Sequence, residues 1–292
     1  MFKAIKTHTL KMVLSLNRGC TMEKYCFGAL PSPKDVRDYR LAASATVMTK
    51  IPKTYVLEPA RIKCQGSHPT CVAHALCSLI EYYNLRDSGL NYMFSTDFIY
   101  GCRTDDDYLG EGMYLRDGLK VIQKYGDVKC SRLPGNTDVP TARKKVFADF
   151  DNLIAEAAPN RISTYYKVQS LNELKYAIVT GGPAPATMKW FKSAKVKADG
   201  VYRYDNTEIS AYHAVLVIGW TTDYLIVQNS WGRTWGKDGL FYVPIGKMNE
   251  VFHEFYGVTD DIGNIVKPNK VTNQFSSIIN FILRLFELFK RS

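Results

Sequence analysis

The sequence predicts an α+β protein with two lobes. Helical patterns dominate its first half, where apolar residues recur at steps of three and four from Thr70 onward and again over residues 115–125, and a third helical pattern follows over residues 171–179. Its second half carries the short β-rich runs HAVLVIGW, YLIVQNSW and GLFYVPIG, separated by polar or glycine-containing turns. A helical half followed by an antiparallel half is typical of this fold class.

The predicted helices have recognisable starts. Pro69 and Thr70 suit the beginning of the first helix, which places Cys71 in its first turn. Ser170 suits the N-cap of the third helix, and Glu173 completes the pattern of a capping box. In that motif each of the two side chains binds the backbone N–H of the other residue.

The composition is that of a globular protein, and the excess positive charge lies at the two ends. Hydrophobic residues make up 46% of the 292 residues, enough to form a sizeable core. Residues 1–50 carry nine basic and three acidic side chains, and residues 267–292 carry five and one. Residues 51–266 carry 24 of each sign, so we expect no nucleic-acid partner for this neutral part.

These charges suggest three parts: a basic N-terminal extension over residues 1–50, a core domain over 51–266, and a linker with an amphipathic helix over 267–292. The N-terminus lacks the apolar stretch of about 7–15 residues that a signal peptide needs. No Asn-x-Ser/Thr acceptor site occurs in the chain. We therefore expect an intracellular or viral-particle location rather than secretion.

Three of the seven cysteines lie within CQGSHPTCVAHALC, residues 64–77. A structural zinc site needs paired ligands such as C-x₂-C, and none occurs, so neither a metal nor a cofactor is expected. The acidic run at residues 105–107 is interpreted as a solvated turn rather than a calcium loop. Cys77 is expected to be a small buried hydrophobe. Cys71 is the candidate nucleophile, because a helix N-terminus lowers the pKa of a thiol.

A nucleophilic cysteine also needs a histidine, and that histidine needs a group to orient it. His68 and His74 are too close to Cys71 in sequence, whereas His213 begins a predicted strand. Asn229 follows one hairpin later, and we expect its carbonyl oxygen to accept the Nδ1–H of His213. The neighbouring Trp231 is expected to shield that hydrogen bond from water.

These residues resemble the papain family of cysteine peptidases. The family's three motifs occur in order as Gln65-Gly66-Ser67 ahead of Cys71, as His213-Ala214-Val215, and as Asn229-Ser230-Trp231-Gly232 followed by Trp235, Gly236 and Gly239. The resemblance covers about residues 51–257, including residues 110–126, which are similar to the family's glycine stretch and following helix. It implies a papain-like two-lobe fold with a helical left lobe, an antiparallel β-barrel-like right lobe and an active site in the cleft between them.

The resemblance implies a cysteine endopeptidase, a thiol protease that hydrolyses peptide bonds through a covalent acyl-enzyme. The roles it implies are nucleophile for Cys71, acid and base for His213, orienting group for Asn229, oxyanion-hole donor for Gln65, shielding ring for Trp231 and substrate-binding backbone for Gly112 and Met113. The alternative is a catalytically silent structural or binding protein on the same fold. That alternative predicts the loss of a triad member, and all three are present.

The sequence also departs from the usual pattern of the family. His68 stands where the family usually has a cysteine, and the usual disulfide partner near Gly110 is absent as well. Val72 stands where a tryptophan usually follows the nucleophile. The segment PSPKDVRDYR, followed later by Gln-Gly-Ser and Cys-Val-Ala, looks more like divergent microbial or viral members of the family than like lysosomal cathepsins.

Residues 1–50 have two interpretations. Ile51-Pro52 resembles the start of a mature family enzyme, which favours a short pro-segment that crosses the cleft. In that case Cys20 or Cys26 is expected to cap Cys71 as a reversible disulfide. The other interpretation is a basic leader without a fixed structure.

The C-terminal sequence FSSIINFILRLFELFKRS has one narrow polar stripe and an apolar face that is wider than packing on one side of a domain requires. The run is too short and too interrupted to span a bilayer. A helix lying on a membrane surface fits this pattern, and so does a helix buried by self-association or against its own chain. Both interpretations stay open.

Overall fold

The helices precede most of the sheet along the chain, as the sequence predicts. The computed structural model describes residues 26–35, 51–103 and 110–260. Cys20, residues 105–107 and the C-terminal helix predicted within residues 267–292 lie outside the described residues. The described helices are α1 (Cys71–Ser88), α2 (Thr96–Gly101), α3 (Leu115–Lys124), α4 (Val139–Phe147), α5 (Phe150–Ala157), α6 (Leu171–Thr180) and α7 (Met248–Val251).

The strands form one main sheet and a separate hairpin. They are β1 (Ala29–Leu30), β2 (Tyr55–Val56), β3 (Met113–Tyr114), β4 (Thr164–Val168), β5 (Ala184–Phe191), β6 (Lys195–Val196), β7 (Tyr202–Arg203), β8 (Ile209–Trp220), β9 (Tyr224–Gln228), β10 (Leu240–Pro244) and β11 (Phe252–Thr259). The main sheet has the order β10-β9-β8-β5-β11-β4, and the pairs along this path are antiparallel. The predicted α+β, two-lobe architecture is confirmed.

Helix α1 is buried along most of its length, which explains its apolar spacing. Its C-cap is Gly89, which has a left-handed backbone (φ +70°) and whose N–H binds the carbonyl of Leu85. Thr70 occupies the N-cap position, but its side chain makes no capping hydrogen bond. Its hydroxyl binds Asn136 Oδ1 instead, at 2.9 Å.

The start of α6 matches the predicted capping box only in part. Ser170 Oγ accepts the backbone N–H of Glu173 at 3.2 Å, as the motif requires. The Glu173 carboxylate, however, accepts the N–H of Gln169 at 2.9 Å rather than that of Ser170. The reciprocal half of the prediction is wrong, because the N–H within reach of the carboxylate is that of Gln169, one residue earlier.

Strand β8 is the centre of the sheet, with β5 and β9 on its two sides. Its residues from His213 to Trp220 are buried, which accounts for the nearly continuous apolar run HAVLVIGW. At Gly219 the backbone of Tyr55 in β2 comes so close that a β-carbon would overlap it.

The short strand β1 joins the helical half to the sheet half. Ala29 pairs in parallel with Met113 of β3 and antiparallel with Tyr212 of β8. This contact makes the sheet mixed, whereas the sequence predicted only antiparallel strands. None of the helices within residues 26–35, 51–103 and 110–260 is long and apolar enough to cross a membrane.

Candidate active site

Cys71 is the first residue of α1 and is fully buried. Its Sγ accepts the backbone N–H of Ala214 in β8 at 3.5 Å. The backbone N–H groups of Val72 and Gly28 also point to this sulfur. The contact with Ala214 places the thiol beside the next residue of the predicted site, His213.

The imidazole of His213 is held by Asn229 and covered by Trp231. His213 Nε2 and Asn229 Oδ1 are 2.7 Å apart. The Trp231 ring is stacked on the imidazole, with 4.6 Å between centroids and an interplanar angle of 29°. The prediction that Nδ1 of His213 meets Asn229 is therefore wrong, because the side-chain torsions of His213 turn Nε2, not Nδ1, toward the amide. Nδ1 is buried without a hydrogen-bond partner among the described residues.

The sheet brings His213 and Asn229 together across neighbouring strands. Leu216 of β8 pairs with Gln228 of β9, so the two polar residues lie at the same end of this strand pair. The backbone N–H of Asn229 donates to the carbonyl of Gly239 at 3.0 Å. Asn229 Oδ1, besides contacting His213, accepts the N–H of Ser230 at 2.8 Å. These bonds limit the rotation of the amide that holds the imidazole.

Trp231 belongs to a group of aromatic rings that sequence reasoning found only in part. Trp190 and Trp235 each meet it edge-on, with centroids 4.9 Å away. Trp190 comes from β5, which pairs with β8. The sequence shows Trp190 only as an aromatic residue in a β-rich run, so nothing local distinguishes it from a core residue.

Gln65 lies at the same site, fully buried. Its backbone N–H donates to the carbonyl of Ser230 at 2.8 Å, and its Oε1 accepts the Ser230 hydroxyl at 2.6 Å. These two bonds direct the Nε2 donor group toward the carbonyls of His68, at 2.9 Å, and Cys26, at 3.0 Å. The donor that the resemblance assigns to the oxyanion hole therefore already binds a backbone carbonyl.

The segment 26–35, called the leader strand below, lies in this site. The N–H of Met113 donates to the carbonyl of Gly28 at 2.8 Å. The Phe27 ring meets those of His213, Trp231 and Trp190 at centroid distances of 5.6, 5.5 and 5.6 Å. The predicted substrate-binding residues Gly112 and Met113 thus contact the protein's own N-terminal extension.

Further along the leader strand, Ser32 reaches a buried carboxylate. Its hydroxyl donates to Glu254 Oε1 at 2.9 Å, and the same oxygen accepts the hydroxyl of Thr187 at 2.9 Å. Glu254 Oε2 accepts the hydroxyl of Tyr256 at 3.0 Å. Sequence reasoning missed Glu254, which carries no local motif and is brought to this position by β11.

Burial changes the protonation of the two central groups. It raises the pKa of the Cys71 thiol to about 11, although the N–H groups of Ala214, Gly28 and Val72 act in the opposite direction. Burial also lowers the pKa of His213 to about 4, against the effect of the Asn229 hydrogen bond. The sequence predicted a lowered thiol pKa from the helix N-terminus. That prediction is wrong for this state, because the loss of solvent around the covered sulfur outweighs the N–H donors.

The cysteines form no disulfide with Cys71. Five thiols are free among the described residues, those of Cys26, Cys71, Cys77, Cys102 and Cys130, whereas Cys64 is disulfide-bonded. The expectation that Cys20 or Cys26 caps Cys71 covalently is therefore wrong for this structure. The leader strand is held there by hydrogen bonds and ring contacts.

The remaining candidates make their hydrogen bonds to groups other than His213 and Asn229. His74 is buried in α1, and its Nδ1 is 3.0 Å from the carbonyl of Thr70. Cys77 is buried as expected, but its thiol donates to Asp127 Oδ2 at 3.2 Å and is thus more than a small hydrophobe.

Comparison with known proteins places the chain in a family. The family model described as "Papain family cysteine protease" matches residues 53–257. A crystal structure of xylellain, a cysteine protease from Xylella fastidiosa, superposes with a TM-score of 0.69 at 23% identity, over 81% of this chain and 96% of that one. The structure of procathepsin B S9 from Trypanosoma congolense gives 0.64 at 17% identity, over 90% of this chain and 99% of that one.

Among curated proteins, cathepsin B-like cysteine proteinase 2 of Haemonchus contortus is 31% identical over 86 residues. This match covers 28% of this chain and 25% of the relative, so the chain spans about a quarter of the length of that protein. The family match, by contrast, extends across most of the described residues and includes each of the three motifs. The chain belongs to the papain family of cysteine proteases.

Proposed function

We propose that this protein is a cysteine endopeptidase that acts through Cys71, His213 and Asn229. The observation that carries the proposal is the 2.7 Å contact between His213 Nε2 and Asn229 Oδ1, next to the residue whose N–H binds the sulfur of Cys71. Family membership and the fold support it. The substrate class is a protein or peptide, bound in extended form against Gly112 and Met113.

In the proposed reaction, the Cys71 thiol gives its proton to His213, and the sulfur attacks the carbonyl carbon of the scissile peptide bond. A C–S bond forms and the carbonyl π electrons move to the oxygen, which Gln65 Nε2–H stabilises. The C–N bond then breaks, and His213 gives its proton to the departing amine. His213 next takes a proton from water, which attacks the thioester, and the C–S bond breaks to release the acid while His213 returns that proton to the sulfur and restores the thiol.

We propose further that the leader strand keeps the enzyme latent, as part of a pro-segment within residues 1–50. It occupies Gln65 Nε2 with the carbonyl of Cys26, and it presents the N–H of Gly28 to the Cys71 sulfur. The nucleophile therefore meets a hydrogen-bond donor instead of an electrophilic carbon. The strand also covers the thiol, and this burial raises the pKa of Cys71 although the Gly28 N–H acts in the opposite direction, so the strand lowers reactivity as well as access.

Displacement of the leader strand would return solvent to the site. Burial then raises the pKa of Cys71 less and lowers the pKa of His213 less. The N–H groups of Val72 and Ala214 remain near the sulfur. This favours transfer of the thiol proton to His213. We therefore assign the thiolate–imidazolium pair to the uncovered enzyme and the neutral pair to the latent one.

The experiment that tests the function is turnover of a panel of fluorogenic dipeptides, with and without an epoxide inhibitor of thiol proteases. The wild-type protein and Cys71→Ala are compared, each as full-length protein and without residues 1–50. We expect epoxide-sensitive turnover that Cys71→Ala lacks. A Cys71→Ala protein that cleaves as fast as the wild type would overturn the mechanism. Absence of turnover in every wild-type form would favour the silent binding protein.

For the C-terminal part we propose a separate role. The wide apolar face of residues 274–292 and the basic residues at its end favour either attachment to an anionic membrane surface or self-association. We propose no nucleic-acid partner, since basic and acidic residues are equal in number over residues 51–266.

A further inference from the structure

The backbone of residues 110–114, called the cleft edge below, lies directly against the leader strand. Met113 donates its N–H to the carbonyl of Gly28 at 2.8 Å. Gly112 has a φ of +105°, and a β-carbon there would stand 2.8 Å from that same carbonyl oxygen. The two backbones are therefore in such close contact that a shift of a few tenths of an ångström in the cleft edge decides whether an extended chain can pair with it.

Two buried side chains hold three consecutive residues of the cleft edge. The Arg103 guanidinium donates through Nη1 to the carbonyl of Gly112 and through Nη2 to the carbonyl of Gly110. The Tyr100 hydroxyl accepts the N–H of Gly112 at 2.8 Å and donates to Glu111 Oε2 at 2.8 Å. Gly110, Glu111 and Gly112 thus each have at least one hydrogen-bonding group held by Arg103 or Tyr100.

These two side chains are themselves anchored on packed helices. Tyr100 is fully buried in α2, and the Arg103 guanidinium lies 5.7 Å from the centroid of its ring. The backbone carbonyl of Arg103 accepts a hydrogen bond from Arg143 of α4 at 3.2 Å. A β-carbon on Gly101 would stand 2.7 Å from the carbonyl of Ala142, which shows how closely α2 and α4 approach.

The cleft edge needs such support because its own sequence provides little. Residues 110–112 belong to neither a helix nor a strand, and two of the three are glycine, which has the largest conformational freedom. A guanidinium suits the task because its planar fork offers two parallel donors in a fixed geometry.

We propose that Arg103 and Tyr100 are positioning residues, which hold the cleft edge in the geometry that binds the main chain of an extended peptide. That peptide is the leader strand in the latent enzyme and the substrate in the active one. The second half of this inference rests on the proposed peptidase function. The first half concerns binding alone and is testable without turnover.

The first test measures hydrogen–deuterium exchange on the full-length protein. Tyr100→Phe removes only the hydroxyl, Arg103→Gln removes the charged fork, and Arg103→Lys retains the charge without the fork. The control is Arg132→Gln, an exposed arginine paired with Asp149 and Glu156. We expect peptides containing residues 29–30 and 113–114 to exchange about tenfold faster in the first two variants, with Arg103→Lys intermediate and the control unchanged.

The second test compares two substrates on the same proteins. An extended peptide of six residues reaches the cleft edge, whereas an ester of a single blocked amino acid reacts with Cys71 without reaching it. The ratio of their kcat/KM values is independent of how many molecules have the leader strand displaced. We expect this ratio to fall about tenfold in Arg103→Gln and severalfold in Tyr100→Phe, through a higher KM for the peptide with little change in kcat.

The two tests separate the inference from the proposed function. Unchanged exchange in Tyr100→Phe and Arg103→Gln overturns the positioning role, whether or not the protein is a peptidase. Equal loss for the ester and the peptide overturns it as well, because general damage to the fold would act on both substrates. If the wild-type protein turns over neither substrate, with or without residues 1–50, but exchange in the full-length variants rises as expected, the peptidase proposal fails and the binding role of the two residues stands. If Arg103→Gln does not fold, Tyr100→Phe decides both tests.

Discussion

The side-chain amide of Gln65 donates a hydrogen bond to the carbonyl oxygen of Cys26 at 3.0 Å. This bond joins the proposed oxyanion donor to the leader strand, two residues before the backbone N–H that reaches the Cys71 sulfur. In the proposed function, the leader strand and the substrate therefore compete for the same donor and for the same nucleophile. Variants at this contact distinguish catalysis from latency.

Gln65→Ala is expected to lower kcat by about 10²–10³-fold in the enzyme without residues 1–50, because one oxyanion donor is worth roughly 2.7–4 kcal/mol. The matched control is Gln228→Ala, since the Gln228 amide is also buried but binds the carbonyl of Arg61, at 2.8 Å. Peptide kinetics measure both variants. Equal losses in the two would show that Gln65 has only a structural role.

Cys77→Ala is expected to retain kcat while the free energy of unfolding falls by about 1–3 kcal/mol. The thiol donates to Asp127 Oδ2 at 3.2 Å, and burial raises the pKa of that carboxyl well above its usual value. The substitution leaves this buried group with one partner fewer. Urea unfolding and peptide turnover are the measurements, and Cys71→Ala should show the reverse pattern of lost turnover with little loss of stability. A Cys77→Ala enzyme without activity but with full stability would contradict the assignment of Cys71.

Gly28→Ala is expected to raise the activity of the full-length protein about tenfold, equivalent to ~1.4 kcal/mol of weakened leader docking. A β-carbon at this position would overlap the carbonyl of Pro69, so the strand has to leave its place beside Cys71. Gly246→Ala is the control, because a β-carbon there meets nothing within 4 Å. If both proteins remain as inactive as the wild type and the form without residues 1–50 is active, the contacts of Gly28 do not maintain latency.

The stability of the full-length protein is expected to fall as the pH decreases from about 6.5 to about 4. Burial lowers the pKa of His213 to about 4 and that of His74 to about 3, so in this range the unfolded chain binds protons that the folded chain does not. Each histidine then contributes up to ~1.4 kcal/mol of lost stability per pH unit.

Urea unfolding between pH 7 and 4.5 tests this expectation. In His213→Gln, the free energy of unfolding should fall less steeply as the pH decreases, by about the contribution of one histidine. His253→Gln, at an exposed position, should leave the slope unchanged. A slope that is the same in all three proteins would show that His213 is not protected from protonation in the folded state.

Removal of residues 274–292 is expected to leave peptide turnover intact while abolishing liposome binding or self-association. The apolar face predicted for this segment is wider than one-sided packing requires, and the basic end suits anionic lipid. Flotation with anionic liposomes and gel filtration are the measurements, with zwitterionic liposomes as the control. Identical behaviour of the full-length and shortened proteins in both would indicate that the helix is part of the fold.

Long, strongly patterned elements were predictable, whereas short or context-dependent ones were not. The spacing of apolar residues located α1, α3 and α6, and the β-rich runs located β8, β9 and β10. Helices α2, α4 and α5 are too short for a clear period. Strands β5 and β11 were missed because their identity depends on pairing with each other and with β8, which are distant in sequence.

For the candidate site, the residue types were visible in the sequence but their mutual geometry was not. Three motifs pointed to Cys71, His213 and Asn229, and the structure brings their elements together. The sequence did not indicate which nitrogen of His213 meets the amide, since side-chain torsions decide that. Arg103 and Tyr100 carried no signal at all, because a buried arginine near a glycine stretch reads as an ordinary loop residue.

The family and the available chemical groups follow from the sequence, because a thiol, an imidazole and an amide at those motif positions are properties of the chain. The protonation state of these groups depends on the folded structure. The leader strand pairs with β3 and β8 at the same time, so it covers Cys71 and removes solvent from it. A helix N-terminus alone favours the thiolate, but that burial raises the pKa of Cys71 to about 11. Desolvation depends on every atom packed around a group, and those atoms come from distant parts of the chain.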